Sequence, residues 1–455
     1  MPKTDKLFTK LKEIMGESHV IQDPDVIKAY AIDGKKPKAV VFPQTVEEVS
    51  KIVVHANRER LAIVPRGNGT KLGIGGIPKK VGIILSTLRL REVTDKDPEN
   101  LTLSVQSGMT LNEVQLMLTK EGKGFFIPLD PPHSKEATLG GIVATNSSGP
   151  KRLLYGTARD LMIGAKSVFP NGDVVVSGGK TVKNVSGYDL CKLMIGSYGT
   201  LGILCELTFK LLPLPEKEAT VLFPFPSLKQ ADGFVREMMG SPLIPTSMET
   251  LNPTAIRKMG DSLSALNTHY LVAIGLEGVS EGVDRQVSDL NKMGKRYGTP
   301  NAEVLDSKQQ NLFWTAFRDF SQRLAKSDPD VISLKANYLI SKHAEILGGY
   351  EKMAEEAEVG CALISHSGNG ILYAHILPGN SLRLKSGSLI DLIGKMTAKA
   401  LQHEGNLIVQ SAPLAIKKKV GVWGQARDDY RIVRRLKEQI DPANILNPGR
   451  FVGGV

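Results

Sequence analysis

The sequence is poor in cysteine, poor in aromatic residues and free of long apolar runs. Its three cysteines, Cys191, Cys205 and Cys361, lie far apart and form no CxxC pair, which excludes a disulfide scaffold and iron–sulfur ligation within the chain. Aromatic residues make up 5%, too few for the stacking platforms that nucleic-acid binding needs. No stretch approaches the roughly 18 apolar residues of a membrane span. The opening MPKTDKLFTKLKEIMGES has the pattern of an amphipathic helix and lacks the apolar centre of a secretion signal. A cytoplasmic protein is expected, at most touching the inner face of a membrane. Two phosphate-loop signatures are also missing, since neither GxxxxGK[ST] nor GxGxxG leading into a helix occurs.

What is present describes a folded chain of more than one domain. At 455 residues, 41% hydrophobic and 23% charged, it is too long for one ordinary domain and too apolar for disorder. Basic residues exceed acidic ones by 58 − 47 = 11. Apart from Lys417-Lys418-Lys419 and Arg434-Arg435 they are scattered, which suits an anionic substrate, an acidic partner or a membrane face, and not nucleic acid.

The first third alternates short strands and helices. Residues 39–42 form a strand pattern, and Thr45 with Glu48 opens a helix whose inner stripe is Val46, Val49, Ile52 and Val53. Residues 61–64 form a strand that runs into a glycine-rich loop. The order repeats with a strand at 101–105, a Thr110/Glu113 capping box and a strand at 125–128. Near Pro215 the text changes. Helices at 228–239, 281–296 and 309–320 then alternate with strands at 270–276 and 331–339, and a last helix spans 429–440.

Three glycine clusters interrupt this pattern. They are Pro65-Arg66-Gly67-Asn68-Gly69-Thr70-Lys71-Leu72-Gly73, then Thr138-Leu139-Gly140-Gly141 with Ala144-Thr145-Asn146-Ser147-Ser148-Gly149, then Gly196-Ser197-Tyr198-Gly199-Thr200-Leu201-Gly202-Ile203. Glycine lets backbone N–H groups approach an anion, and successive ones form a nest for it. Ordinary turns do not need three such clusters. A long ligand touched by several loops does.

The phrases PRGNGT, DPPH, ATLGG, YGTARD, TVKNVSGYDLCKLMIGSYGTLGI, SHSGNGILYAHI and the terminal LNPGRFVGG resemble the FAD-binding module of the vanillyl-alcohol oxidase / p-cresol methylhydroxylase superfamily. Within it they are most similar to the glycolate oxidase FAD-binding subunits and D-lactate dehydrogenase-like flavoproteins. The resemblance implies an α+β fold: two α/β FAD-binding subdomains plus a cap domain with an antiparallel sheet flanked by helices. The implied division is an N-terminal helical segment at 1–34, an FAD-binding domain at 35–215, a cap at 216–425, and a helix and tail at 426–455 that return to the FAD domain. Pro65, Arg66, Gly67, Asn68, Gly69, Thr70 and Gly73 would wrap the pyrophosphate, and Pro131, Thr138, Gly141, Thr145 and Asn146 would line pyrophosphate and flavin. Gly199, Gly202 and Ile203 would meet the adenosine half, and Asn447 the flavin. No histidine stands near the first loop, so the FAD is expected to be noncovalent.

Oxidising a 2-hydroxy acid on a flavin needs a cation for the carboxylate and a base for the hydroxyl proton. By resemblance Arg318 in FWTAFRD and Lys335 in SLKANYL would be the cations, against a surface arginine and a structural lysine, and His366 is either a flavin-side base or hydrogen-bond donor or a structural histidine. His375 is read as structural, and His133 stands beside the second cluster. Metal-dependent relatives carry further ligands where this chain has Tyr373, Gln410 and Ser411, so no metal is expected. The resemblance further implies a complex with a second flavoprotein or an iron–sulfur subunit. A flavin-bearing scaffold subunit that leaves substrate oxidation to a partner is the alternative.

Overall fold

A computed structural model describes the chain except residues 1–2, 121–123, 180–187, 261–262, 264–268, 300–301, 380–385 and 425–426. The signature stretch TVKNVSG at 181–187 therefore lies outside the described residues.

Local signals act as the sequence suggests. Thr45 Oγ1 accepts from the Glu48 N–H at 3.1 Å and caps the helix Val46–Arg58, which buries Val49, Ile52, Val53 and Ala56. The Thr110/Glu113 box is complete, each residue's side chain accepting from the other's backbone N–H at 3.2 and 2.9 Å. One expected helix is two. Asp306 and Gln309 form a capping box that starts Ser307–Arg318 early, and Asp319 (φ −92°, ψ 14°) separates it from Phe320–Ser327.

Met1–Ser148, Gly156–Leu214 and Ala426–Val455 make one compact unit, and Gly149–Tyr155 with Pro215–Gln425 make another. Residues Gly149–Tyr155 thus fold with the second unit although their sequence neighbours on both sides belong to the first.

The first unit holds two main sheets. One has the order Val20–Ile21, Ala39–Val41, Ile83–Ser86, Ile63–Arg66, parallel among its last three strands. The other is antiparallel, in the order Val93–Asp97, Thr102–Gln106, Ile203–Lys210, Met162–Val168, Val174–Gly178. Two cores serve them: Val41, Ile52, Ile63 and Ile83 belong to one, which also takes Val168 and Ile203 from the second sheet, and Leu103, Leu139, Leu207 and Phe209 belong to the other.

The second unit is built on one antiparallel sheet of eight strands. The order is Glu303–Leu305, Lys217–Phe225, Tyr270–Gly278, Ser247–Leu251, Gly360–His366, Ile371–Leu377, Ile332–Asn337, Asn406–Ser411. Helices His343–Glu356 and Ser386–Gln402 cover one end, contributing Ile346, Leu347, Tyr350, Leu392 and Met396 to an apolar core. An antiparallel sheet flanked by helices is the cap architecture read from the sequence.

Candidate functional site

In the first unit the three glycine clusters converge. The strand Ile63–Arg66 ends at a loop in which Gly69 has φ +79°, a conformation that favours glycine. Thr138 caps the short helix Leu139–Thr145, its Oγ1 accepting from the Gly141 N–H at 3.2 Å. A Cβ on Gly67 would fall 2.2 Å from that same Oγ1, so the first two clusters close on one another only because residue 67 has no side chain. The third cluster hangs on the helix: Gly196 N–H donates to Val143 O at 3.0 Å and Tyr198 N–H to Ala144 O at 2.8 Å. The tail completes the ring. Asn447 N–H donates to Ile63 O at 2.8 Å, and its side-chain amide donates to Tyr198 O at 2.6 Å.

These segments line a half-open cleft. Pro65, Arg66, Gly67, Asn68, Gly69, Thr70, Thr138, Gly141, Thr145, Gly199, Gly202, Ile203 and Asn447 line it. Gly73, Pro131 and Asn146 do not stand in the lining. Asn146 instead ends the short helix at φ 46°, and a Cβ on Gly73 would meet open space. Lining residues that the sequence did not single out as ligand contacts include Thr87, Ser107, Tyr198 and Arg450. Arg450 fastens the first loop by donating to Leu72 O and Ile74 O at 2.5 Å and to Gly76 O at 2.8 Å, and it pairs with Asp33 at 3.4 Å. The only hint of this in the sequence is the tail phrase LNPGRF.

The cavity suits a long polar ligand. Arg66 Nε, Ser107 Oγ and Asn447 Oδ1 are buried there without a hydrogen-bond partner among the described residues. Buried polar atoms are rarely left so, and a dinucleotide offers both acceptors and donors to satisfy them. The Arg66 guanidinium also lies 4.6 Å over the Tyr30 ring, which holds it at the cavity mouth. The residues fit FAD.

In the second unit, central strands gather a charged cluster. Glu249 and His366 are register partners on neighbouring strands, both buried. His366 Nδ1 lies 2.8 Å from Glu249 Oε1 and 2.7 Å from Oε2. Tyr373 sets its ring edge-on to the imidazole, with centroids 5.4 Å apart. Lys335 is the register partner of Tyr373, with Nζ 5.8 Å from that ring's centroid. Burial, then the charges of Arg152 and Lys335, push the His366 imidazole down to about 3. Burial, then Arg152, pull the Lys335 ammonium down to about 8. Burial and Glu249 push the Tyr373 phenol up to about 12, against the opposing pull of Arg152. His366 is therefore a neutral imidazole. Its Nδ1–H points at a carboxylate that can only accept, which leaves Nε2 with a free lone pair.

Arg318 belongs to a helix of the same unit, and its Nε is buried without a partner among the described residues. It ends the helix Ser307–Arg318, its guanidinium reaches Thr315 Oγ1 at 3.4 Å, and among the described residues no hydrogen bond or ion pair joins it to Lys335 or His366. Its neighbour Phe317 does approach the imidazole, ring to ring at 6.3 Å. His375 bonds Ser333 Oγ at 2.9 Å within the sheet, as a structural histidine would. Among the described residues no three His, Cys, Asp or Glu side chains are grouped to hold a metal ion. Glu249 escaped the sequence reading because its strand, SMETL, is buried throughout and shows no polar–apolar alternation.

Comparison with known proteins adds the family context. A family model described as FAD binding domain matches residues 37–178, and one described as FAD linked oxidases, C-terminal domain, matches 214–451. The chain is 30% identical to the glycolate oxidase subunit GlcD of Bacillus subtilis over 423 residues, covering 91% of this chain and 89% of that protein. It is 28% identical to a D-lactate dehydrogenase of Archaeoglobus fulgidus over 455 residues, covering 98% of each. Among solved structures, p-cresol methylhydroxylase with substrate bound aligns at a TM-score of 0.78 and 16% identity, over 99% of this chain and 97% of that one. That likeness concerns the fold.

Proposed function

The chain belongs to the FAD-linked oxidases, and from that premise we propose that it is the flavin-carrying subunit that oxidises a small 2-hydroxy acid, glycolate or D-lactate. The similar glycolate oxidase subunit and D-lactate dehydrogenase support that substrate class. The observation that carries the reading is the neutral His366, fixed by Glu249 and accompanied by the Lys335 cation.

When bound, FAD supplies the two-electron acceptor for the hydride that leaves the substrate Cα. Arg66 to Thr70 take its pyrophosphate, Thr138, Gly141 and Thr145 its central part, Gly199, Gly202 and Ile203 its adenosine half, and Asn447 its flavin. Asn146 ends the helix that carries Gly141 and Thr145. The FAD is noncovalent, since among the described residues the cleft lining includes no histidine or cysteine.

The second unit handles the acid. Lys335 holds the carboxylate, with Arg318 as the further cation of the resemblance. His366 Nε2 takes the hydroxyl proton, and the Glu249 carboxylate 2.7 Å from Nδ1 stabilises the imidazolium that forms. Reduced flavin then needs an outlet. The three buried cysteines cannot ligate a cluster together, so an iron–sulfur partner or a second flavoprotein takes the electrons. No helix of the described residues is long and apolar enough to cross a membrane, and docking to such a partner or to an inner membrane face uses the exposed Lys418, Lys419, Arg434 and Arg435, Lys417 of the basic run being buried.

The test is anaerobic addition of glycolate, D-lactate and L-lactate to the purified yellow protein. Bleaching of the flavin band by one of them is expected. A flavin that stays oxidised with every acid would overturn the catalytic reading in favour of an electron-transfer subunit.

A further inference from the structure

Lys151, Leu153 and Tyr155 tie the short helix Arg152–Tyr155 into the second unit, and Arg152 takes no part. Lys151 pairs with Glu277 at 2.5 Å and with Glu218 at 3.4 Å. Tyr155 Oη donates to Glu277 Oε2 at 2.7 Å. Leu153 packs beside the turn that follows His366: a Cβ on Gly368 would fall 2.6 Å from Leu153 Cδ1 and 3.3 Å from Met248 Cε. Met248 precedes Glu249 on its strand, so Leu153 seats the helix against both segments that carry the His366–Glu249 pair.

Arg152 is left unspent. It is partly buried, and among the described residues its guanidinium makes no hydrogen bond or ion pair. Lys335 is likewise partly buried and has no anionic partner there, its Nζ resting 5.8 Å from the Tyr373 ring centroid. The two cations are close enough to one another, and to His366, for their charges to be felt. With His366 neutral, the two cations outnumber the Glu249 carboxylate of the cluster by one, and their mutual repulsion is unfavourable in the free protein. An anion placed between them relieves that repulsion and gains two charge-assisted contacts. The Glu249 carboxylate is held by His366.

We propose that Arg152 and Lys335 form a two-cation clamp for a carboxylate, with Arg152 as a substrate-binding residue delivered by the segment Gly149–Tyr155. The proposal rests on the hydroxy-acid reading above and adds a residue to it. It also assigns a purpose to the excursion of Gly149–Tyr155 into the second unit, which brings a cation to the His366 turn. Planar guanidinium fixes the orientation of the carboxylate, whereas Lys335 contributes a point charge.

The test uses the full chain loaded with FAD and oxalate, an unreactive dicarboxylate, as the probe. Oxalate binding is measured by calorimetry, and kcat and KM are measured with the acid that bleaches the wild-type flavin. Arg152→Met should weaken oxalate binding and raise KM by about 10–100-fold, the range expected for losing a charged hydrogen bond. FAD content and melting temperature should change little. Arg152→Lys should recover part of the affinity, and it carries the test if the Met variant does not fold. Unchanged oxalate affinity in both variants overturns the clamp while wild-type bleaching keeps the hydroxy-acid reading. Oxalate binding that needs Arg152, in a protein no hydroxy acid reduces, supports the clamp and overturns that reading.

Discussion

Glu249 and His366 face each other twice, once as register partners across adjacent strands and again through side chains 2.7 Å apart. The backbone pairing fixes both Cβ atoms, so the carboxylate can hold one ring nitrogen without a flexible linker. Glu249→Gln keeps the shape but can present an amide N–H to Nδ1, which would move the ring proton to Nε2 and remove the base. The anaerobic rate of flavin reduction should fall about 10²-fold or more, as for loss of general base catalysis. FAD content should be unchanged. A variant that is reduced at the wild-type rate would show that the pair is only structural.

The pH dependence should be one-sided. Lys335 is charged below about 8 and loses its charge above it, because burial and Arg152 disfavour the ammonium. The grip on the carboxylate is present at neutral pH and lost as pH rises through that value, so KM should climb on the alkaline side. His366 is held down to about 3, so it stays a neutral base and contributes no acid limb near neutrality. Lys335→Arg, whose charge persists, should abolish the alkaline rise in KM. A KM that is flat through about pH 9 in the wild type would contradict this assignment of Lys335.

Flavin retention should depend on Gly67 more sharply than on Gly73. A Cβ at 67 meets Thr138 Oγ1 at 2.2 Å and forces the first two clusters apart, whereas one at 73 meets nothing within 4 Å. Gly67→Ala is expected to purify with little FAD, and Gly73→Ala with wild-type content, measured by the visible flavin band against protein. Acid precipitation of the wild type should release the flavin into the supernatant. Flavin that stays in the pellet would show a covalent bond.

The parts of this fold written in short stretches of sequence were legible. Thr110 with Glu113 announced a helix start because both hydrogen bonds lie within four residues. Leu228–Met239 was readable for the same reason, with Ser227 capping and a clean apolar stripe. The glycine clusters were legible as a set, since each is a local demand for close backbone approach. What could not be read is what sheet register assembles. Glu249, Lys335, His366 and Tyr373 meet through strand pairings separated by scores of residues, and a fully buried strand carries no alternation to mark a functional side chain. Arg152 was hidden differently. It follows SSGP in the second glycine cluster, and nothing in that phrase says that residues 149–155 fold with the other unit.

Metal content should be negligible. By the resemblance read from the sequence, Tyr373, Gln410 and Ser411 would stand at ligand places of metal-dependent relatives, and neutral hydroxyl and amide groups hold Zn²⁺ or Mn²⁺ weakly. Tyr373 is the poorest of them, because its phenol is pushed up to about 12 and stays protonated. Elemental analysis should find no stoichiometric divalent metal, and EDTA should leave flavin reduction by the acid unchanged. Activity lost to EDTA and restored by Zn²⁺ or Mn²⁺ would reverse the conclusion.

Stability of the first unit should turn on one buried ion pair near the tail. The helix Tyr430–Ile440 buries only Lys437, whose Nζ lies 2.6 Å from Asp441 Oδ2 and donates to Thr200 O at 2.8 Å and Leu446 O at 2.9 Å. Asp441 in turn accepts from the Ile445 and Leu446 N–H groups at 3.0 and 2.8 Å. The pair therefore ties the third glycine cluster to the segment that presents Asn447 to the cavity. Asp441→Ala would strand a buried ammonium and two buried N–H groups, a loss of about 3–5 kcal/mol by comparison with other broken buried pairs. The melting temperature should drop by several degrees, and FAD should dissociate more readily because Asn447 loses its support. Replacing both partners with apolar residues, Lys437→Met with Asp441→Leu, removes the stranded charge and should recover part of the melting temperature. It should not recover FAD affinity, since the tail would still lack its tie to Thr200 and Leu446. Full FAD affinity in the double variant would show that the tail is positioned by packing alone.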